Sequence, residues 1–312
     1  MTSLRPPVDP YGEAFGVACG ATMAVGASLS FATARAGIVA GIAAEDLVLV
    51  RFAIAGLVFL PFVIRWGLPS LAGIGWGRSL VLLVLGGPIF SLLQLGGYAY
   101  APLAHGALIM PSTVTILSTS LAAIFLKERL SAAHVSGAVL VILGILPLGW
   151  EGLSQGPGNH AWIGDLMFLT SAVLWAGFTV LLRHWRLDAA RAIGVVSVMS
   201  LVVMLPGYAG SGHIRPLLAV PPAALLTQAL VQGGLQGVIG ITAYSHAIRV
   251  LGVSRAVLFP AAVPAISILI GIPILGEWPG PIQIAGLALV TIGLMTAVGT
   301  LRLPGRRALK LT

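Results

Sequence analysis

Three glutamines follow one another at four-residue spacing in an apolar stretch of the second half of the chain. Gln228, Gln232 and Gln236, continued by Gly240 and Tyr244, would share one face of an α-helix. Their amides supply hydrogen-bond donors and acceptors without net charge, which suits a polar or zwitterionic solute. The same amides could instead hold neighbouring helices together. We expect Gln232, Gln236 and Tyr244 to contact a solute.

A second polar face lies earlier, at Ser91, Gln94 and Tyr98, whose spacings of three and four residues also fit one side of a helix. Ser112 offers a hydroxyl and Trp175 an apolar wall, although hydroxyls often bond their own helix backbone and a single Trp often only packs. The predicted solute-binding set is Gln94, Tyr98, Ser112, Trp175, Gln232, Gln236 and Tyr244.

Charged and metal-binding side chains are sparse. Cys19 is the single cysteine, and the six histidines and nine acidic residues are spread along the chain without the spacing of a metal site or of a nucleophile with its base. We therefore expect no enzyme, no catalytic residue, no metal ion and no cofactor. Arg51 is expected to extend towards the membrane surface or to pair with Asp46. Glu128 and Glu277 are expected to be structural anchors at helix ends.

The elements that must position these residues are indicated by composition. Hydrophobic residues make up 58% of the 312 residues and charged ones 8%, whereas soluble domains carry roughly a quarter charged residues. This composition excludes a soluble enzyme and a disordered chain. A nucleic-acid-binding protein is also excluded, because the 17 basic residues are scattered and do not form a patch. The chain is predicted to be an all-α integral membrane protein embedded in the lipid bilayer.

Ten apolar segments are long enough to cross a bilayer, which needs about 20 residues each. We number them spans 1 to 10, and their predicted ranges are 14–34, 46–65, 79–100, 105–126, 132–150, 162–183, 190–209, 222–247, 254–275 and 280–301. With the N-terminus in the cytoplasm, fourteen basic residues fall on the cytoplasmic side, and two, Arg35 and Arg215, fall outside. The positive-inside rule thus predicts cytoplasmic termini and a multi-pass protein of the cell inner membrane.

The two halves of the sequence resemble each other at an offset of 149 residues. Pro111 matches Pro260, Glu128 matches Glu277, and two glycine pairs follow, Gly137 with Gly286 and Gly144 with Gly293. We therefore predict two five-helix repeats, residues 1–150 and 151–312. Because each repeat has an odd number of spans, the second is inverted relative to the first. Inverted repeats are typical of alternating-access transporters, whose solute site lies between the halves. Pro111 and Pro260 should kink spans 4 and 9 and act as gating hinges, unless the kinks only serve packing.

The stretch Leu126–Ser131, with Gly137 and Gly144, resembles the drug/metabolite transporter superfamily, and more narrowly its ten-helix EamA-type exporters. Leu275–Trp278 with Gly286 and Gly293 repeats the pattern. Gly164-Asp165 with Trp175-Ala176 is similar to the opening of the family's span 6, and Arg51-Phe52 is similar to its second-span motif. The resemblance implies export of amino acids, other small metabolites or drugs.

Two functions remain open for such a chain. The first is export of amino acids, such as aromatic or threonine-like ones, and related small metabolites by alternating access. The alternative is multidrug efflux of amphipathic cations, although no acidic residue is expected within the spans to hold a cation. Because no carboxylate is expected near mid-membrane, transport should be facilitated or exchange-like. The expected partners are the solute and the lipid bilayer, with no nucleic acid, and the protein should be a monomer or weak homodimer.

Overall fold

The computed structural model describes residues 10–125, 131–154, 160–210 and 214–297, and helices fill nearly all of these ranges. In chain order the ten spans are Pro10–Val39; Ala44–Gly67; Trp76–Gly86 with Pro88–Gly96; Leu103–Phe125; Ala132–Ser154; Ala161–His184; Ala189–Gly210; Pro222–Gln228 with Ala229–Gly240 and Ile241–Leu251; Val253–Ala256 with Leu258–Leu275; and Pro281–Ala297. Two short 3₁₀ turns, Leu68–Ser70 and Gly97–Ala99, and the short helix Ile214–Ala219 complete the described elements.

The lengths of these helices match the thickness of a bilayer. Within the described ranges, nine of them have at least 18 residues and enough apolar character to cross a membrane, and the tenth, Pro281–Ala297, has 17. The predicted all-helical, ten-span fold is confirmed. Glu128 and its basic neighbours lie outside the described residues. The division of the chain at residue 150 stays a prediction.

Three spans depart from a regular α-helix. Span 3 is interrupted at Gly87, and Pro88 then occupies the first position of the next helix, where its missing N–H is not needed. Span 8 contains a π-helix over Ala229–Gly240, with hydrogen bonds to the fifth residue in place of the fourth. Span 9 is divided at Val257.

The helices pack in pairs that repeat between the halves. Span 1 lies along span 9, and the equivalent span 6 lies along span 4; spans 1 and 8 make contact, as do spans 6 and 3. Span 2 also lies along span 7, and span 5 lies along span 10, so that each of these pairings joins a helix to its own repeat equivalent. This pairing pattern is the one that two superposable repeats would produce.

Spans 5 and 10 cross through the glycines that match in the sequence repeat. A Cβ atom added to Gly137 would lie 2.4 Å from the carbonyl oxygen of Gly293, and one added to Gly144 would lie 2.9 Å from that of Gly286. The reciprocal distances from Gly286 and Gly293 are each 2.8 Å. Backbone therefore meets backbone at four points. We call this contact the glycine seam, and small residues in membrane helices commonly permit such close approach.

Candidate functional site

A cavity of about 220 Å³ lies at the centre of the bundle. Spans 1 to 4 and 6 to 9 contribute to its wall, whereas spans 5 and 10 do not. Five aromatic side chains line it: Phe31, Phe52, Phe90, Trp175 and Phe178. The polar lining residues are Arg51, Ser91, Gln94, Thr115, Ser197 and Gln236. Drug-sized ligands occupy sites of roughly 300 Å³ or more, so this cavity suits a smaller solute.

Arg51 places a guanidinium group in the cavity wall. Its Nη1 donates to Oε1 of Gln94 at 3.2 Å, and its Nη2 donates to Oε1 of Gln232 at 2.6 Å and to Oγ of Ser30 at 3.3 Å. The residue is 8% exposed, and its Nε has no hydrogen-bond partner. Three neutral oxygens therefore hold a buried cation whose Nε–H is left without a partner.

The expectation that Arg51 extends outward or pairs with Asp46 is wrong. Asp46 instead accepts a hydrogen bond from the hydroxyl of Tyr208. Among the described residues, no acidic side chain forms an ion pair with Arg51. A charge two turns inside an apolar helix is costly unless it faces the bundle interior or a wet cavity. That cost is the signal in the sequence that points to a functional role for Arg51.

The glutamines of span 8 do not share one environment. Nε2 of Gln228 donates to the carbonyl oxygen of Thr33 at 2.8 Å. Gln232 is fully buried behind the cavity wall, where its Nε2 donates to the carbonyl oxygen of Ser30 at 2.7 Å. Gln236 lines the cavity, and its buried Oε1 has no partner. Two glutamines thus bind span 1, as the packing alternative predicted, and one faces the cavity.

The change in environment follows from the π-helix. Four-residue spacing keeps side chains on one face of an α-helix, but a helix with bonds to the fifth residue turns less per residue, so the same spacing drifts around the axis. Tyr244, in the α-helix that follows, is half-buried and is not part of the cavity lining.

The other predicted residues divide between the lining and the surrounding core. Gln94 and Trp175 line the cavity. Trp175 is stacked between two aromatic rings, with centroid distances of 4.8 Å to Phe90 and 4.9 Å to Phe178. Tyr98 is buried against Phe168 outside the lining, with ring centroids 5.0 Å apart.

Ser112 is also outside the lining; it is fully buried, and its hydroxyl has no partner. Its neighbour Pro111 does line the cavity, as does Pro260. Pro111 lies inside the continuous helix Leu103–Phe125. Pro260 lies in the first turn of Leu258–Leu275, and the preceding short helix ends at Ala256, whose carbonyl Pro260 cannot bond. Span 9 is therefore divided shortly before Pro260, whereas span 4 continues through Pro111 as one helix.

One end of the bundle is closed by an ion pair between the halves. Nε of Arg35 donates to Oε1 of Glu277 at 2.8 Å, and Nη1 of Arg35 donates to the carbonyl oxygen of Tyr98 at 2.5 Å. The other carboxylate oxygen of Glu277 accepts from the backbone N–H of Leu103 at 3.0 Å. Gly276, with φ of 67°, ends span 9 in the left-handed region and directs the chain into this contact. We call this set of bonds the Arg35–Glu277 link.

The link lies next to a layer of buried aromatic rings. Tyr98 lies between Phe31 and Phe168, at centroid distances of 6.4 and 5.0 Å. At the opposite end of spans 1 and 9, Glu13 bonds Arg255, and this pair is much more exposed, at 39% and 65% of the side chains. The two ends of the same helix pair are therefore held with different strength.

A buried histidine–aspartate pair joins spans 4 and 6 near the same end as the link. Nδ1 of His105 and Oδ1 of Asp165 are 2.8 Å apart, with side chains 2% and 8% exposed. The second carboxyl oxygen, Oδ2, has no partner. Neither residue lines the cavity. A buried polar pair of this kind is costly to break, since either partner alone would be left unsatisfied.

Comparison with known proteins places the chain in a family. The EamA-like transporter family matches it twice, over residues 14–150 and 162–299. The chain belongs to the EamA-like transporter family. The two matches confirm the two repeats of the fold and the transporter class, and the resemblance noted in the sequence is confirmed.

Two curated relatives of this EamA-like transporter also match. An uncharacterized transporter of Bacillus subtilis, YyaM, is 28% identical over 236 residues, which is 72% of this chain and 74% of the relative. A probable terminal-alkyne amino-acid exporter of Streptantibioticus cattleyicolor is 25% identical over 207 residues, 66% of this chain and 67% of the relative. A crystal structure with 22% identity covers 92% of this chain and 96% of its own, with a TM-score of 0.58, and supports the fold.

Proposed function

We propose that this EamA-like transporter exports amino acids and related small metabolites across the cell inner membrane by alternating access. The observation that carries the proposal is the central cavity, which is small, lies between the halves, and combines an aromatic wall with a few polar groups. Solute sites of transporters with inverted repeats lie in this position. The name of the Streptantibioticus relative, a probable amino-acid exporter, supports the same solute class.

The shape of the cavity supports loading from the cytoplasm. Ile193 and Pro260, which line it, lie within the first turns of spans 7 and 9, and Ile241 lies in the second half of span 8. In the predicted orientation these positions are on the cytoplasmic side of mid-membrane. The Arg35–Glu277 link and its aromatic layer lie on the other side. In this orientation the link and the aromatic layer would separate the cavity from the outside, as in an exporter awaiting its solute.

Alternation would require the outer contacts to open as the inner ones close. We assign this bending to spans 4 and 9, with Pro111 and Pro260 as hinges, because both prolines line the cavity and the helix already divides near Pro260. Pro111→Ala and Pro260→Ala would each restore a backbone donor. Both should slow transport at matched expression, and unchanged rates in both variants would refute the hinge assignment.

Efflux of amphipathic cations is disfavoured by the charge of Arg51. Two unit charges 4 Å apart interact by about 4 kcal/mol at an effective dielectric constant of 20, and here the sign would be repulsive. Among the described residues, the cavity lining contains no acidic side chain to offset this repulsion.

The test is counterflow in proteoliposomes with a panel of labelled amino acids, using protein-free liposomes as the background. We expect saturable exchange of at least one small apolar or aromatic amino acid, independent of an imposed proton gradient. Exchange of a lipophilic cation such as tetraphenylphosphonium, with none of any amino acid, would refute the proposed function. Single-channel currents would refute the alternating-access mechanism.

A further inference from the structure

Two polar side chains of the cavity lining, with opposite hydrogen-bonding roles, each keep a buried atom without a partner inside the protein. Nε of Arg51 is a donor that bears part of a positive charge, and Oε1 of Gln236 is an acceptor. They come from span 2 and span 8, one from each half. We propose that they bind the two charged groups of a zwitterionic α-amino acid, the carboxylate at Arg51 and the ammonium at Gln236. This assignment rests on the proposed function and specifies its solute.

The bonding of Arg51 favours a carboxylate as its missing partner. Gln94, Gln232 and Ser30 fix the guanidinium through Nη1 and Nη2 but bring no negative charge. A buried charge is tolerated when it is paired, and Arg matches a carboxylate with a planar set of donors. Because the side chain is already held in place, little further side-chain entropy is lost when a carboxylate binds.

Gln236 supplies what the ammonium group needs. A Gln carbonyl oxygen accepts hydrogen bonds, and an ammonium group has three donors. Gln228 and Gln232 on the same span donate to backbone carbonyls of span 1 and do not line the cavity, whereas Gln236 lines the cavity and its Oε1 has no partner. A neutral acceptor holds an ammonium without forming a permanent ion pair with Arg51.

The remainder of the wall specifies the side chain of the solute. Trp175, stacked between Phe90 and Phe178, presents an aromatic surface, and Phe31 and Phe52 extend the apolar lining. Among the described residues, the lining carries no second cation and no carboxylate. Acidic and basic amino acids would therefore bury an unpaired charge, and the cavity should accept small apolar or aromatic amino acids.

The experiment compares one transported amino acid with three analogues in the same proteoliposomes: its amide, the amine without the carboxylate, and the acid without the ammonium. Wild type should prefer the amino acid by about tenfold or more over each analogue, since each loses a hydrogen bond to a charged group. Arg51→Gln should remove the preference over the amide and the amine, and Arg51→Lys should retain part of it. Gln236→Leu should remove the preference over the acid without the ammonium.

The control is Arg65→Gln, the same substitution at an exposed arginine in the last turn of the same helix, and it should keep every preference. The preferences are ratios within one sample, so a change in folded yield does not alter them, and the wild-type comparison needs no variant. Equal transport of the amino acid, its amide and its amine would overturn the assignment of Arg51 while leaving amino-acid export intact. Absence of transport for every amino acid would overturn the proposed function and this assignment together.

Discussion

Glu277→Gln should open the outer end of the bundle. The carboxylate accepts from Nε of Arg35 and from the backbone N–H of Leu103. An amide of the same shape keeps one acceptor oxygen but turns an NH₂ group towards one of these donors, so at least one bond and the charge attraction are lost. No cavity is created, because Glu and Gln have nearly the same volume.

The free energy lost in Glu277→Gln follows from the burial of the ion pair. Hydrogen bonds to charged groups contribute about 1.5–3 kcal/mol when buried, and exposed ion pairs contribute about 1 kcal/mol or less. The side chains of Arg35 and Glu277 are 19% and 29% exposed, which places the loss between these limits, at about 1–2 kcal/mol. The ratio of outward-open to outward-closed protein should then rise by about 5- to 30-fold.

The assay measures access to a cysteine in the cavity. Cys19 is replaced by Ala, and Ala27, a small residue of the lining, is replaced by Cys. A membrane-impermeant thiol reagent is applied to right-side-out and to inside-out vesicles. Glu277→Gln should raise the labelling rate from the outer side by about 5- to 30-fold. The matched control is Glu13→Gln, at the exposed pair on the other end, which should change that rate by less than about twofold.

An unchanged rate of outer labelling in Glu277→Gln would refute the reasoning, because the Arg35–Glu277 link would then not limit opening. Equal increases in Glu277→Gln and Glu13→Gln would also refute it, because they would indicate general loosening of the bundle. Labelling of the parent variant faster from the side of the link would reverse the assignment of the closed end.

Two further predictions concern stability, measured as the midpoint of thermal unfolding in detergent. Gly137→Ala should lower the free energy of unfolding by about 1–3 kcal/mol, since its Cβ would lie 2.4 Å from backbone atoms of span 10. The control is Gly149→Ala on the same helix, where a Cβ would have nothing within 4 Å and should not lower the midpoint. Equal midpoints for the two variants would contradict the glycine seam. His105→Ala should cost about 1–3 kcal/mol or more, because it leaves the buried carboxyl group of Asp165 without its partner. Adding Asp165→Asn should recover part of that loss, and a double variant no more stable than His105→Ala would contradict this account of the pair.

The sequence predicted most of the fold because the constraints that set it are local. An apolar run of sufficient length is visible in any window of about 20 residues. The glycines of the seam were visible because they match between the repeats, although their mutual contact could not be derived from one half alone. Of the site, Gln94, Trp175 and Gln236 were predicted and line the cavity, since each is a polar or aromatic residue within an apolar run.

The role of Arg51 was missed because its partners are distant in the chain. Gln94 and Gln232 lie 43 and 181 residues away from it, and no sequence spacing relates them. The division of the glutamines was missed for another reason. Their four-residue spacing was interpreted with α-helical geometry, but that stretch is a π-helix. No residue pattern in the stretch predicts that geometry.

The Arg35–Glu277 link also constrains the order of biogenesis. Arg35 enters the membrane with span 1, but the carboxylate of Glu277 is synthesised only after nine of the ten spans. Arg51 likewise meets Gln232 only when span 8 has been inserted. The first five spans therefore leave the ribosome with two arginines that each still lack one polar partner, Glu277 for Arg35 and Gln232 for Arg51. A chain truncated before residue 232 would contain both arginines without these two partners.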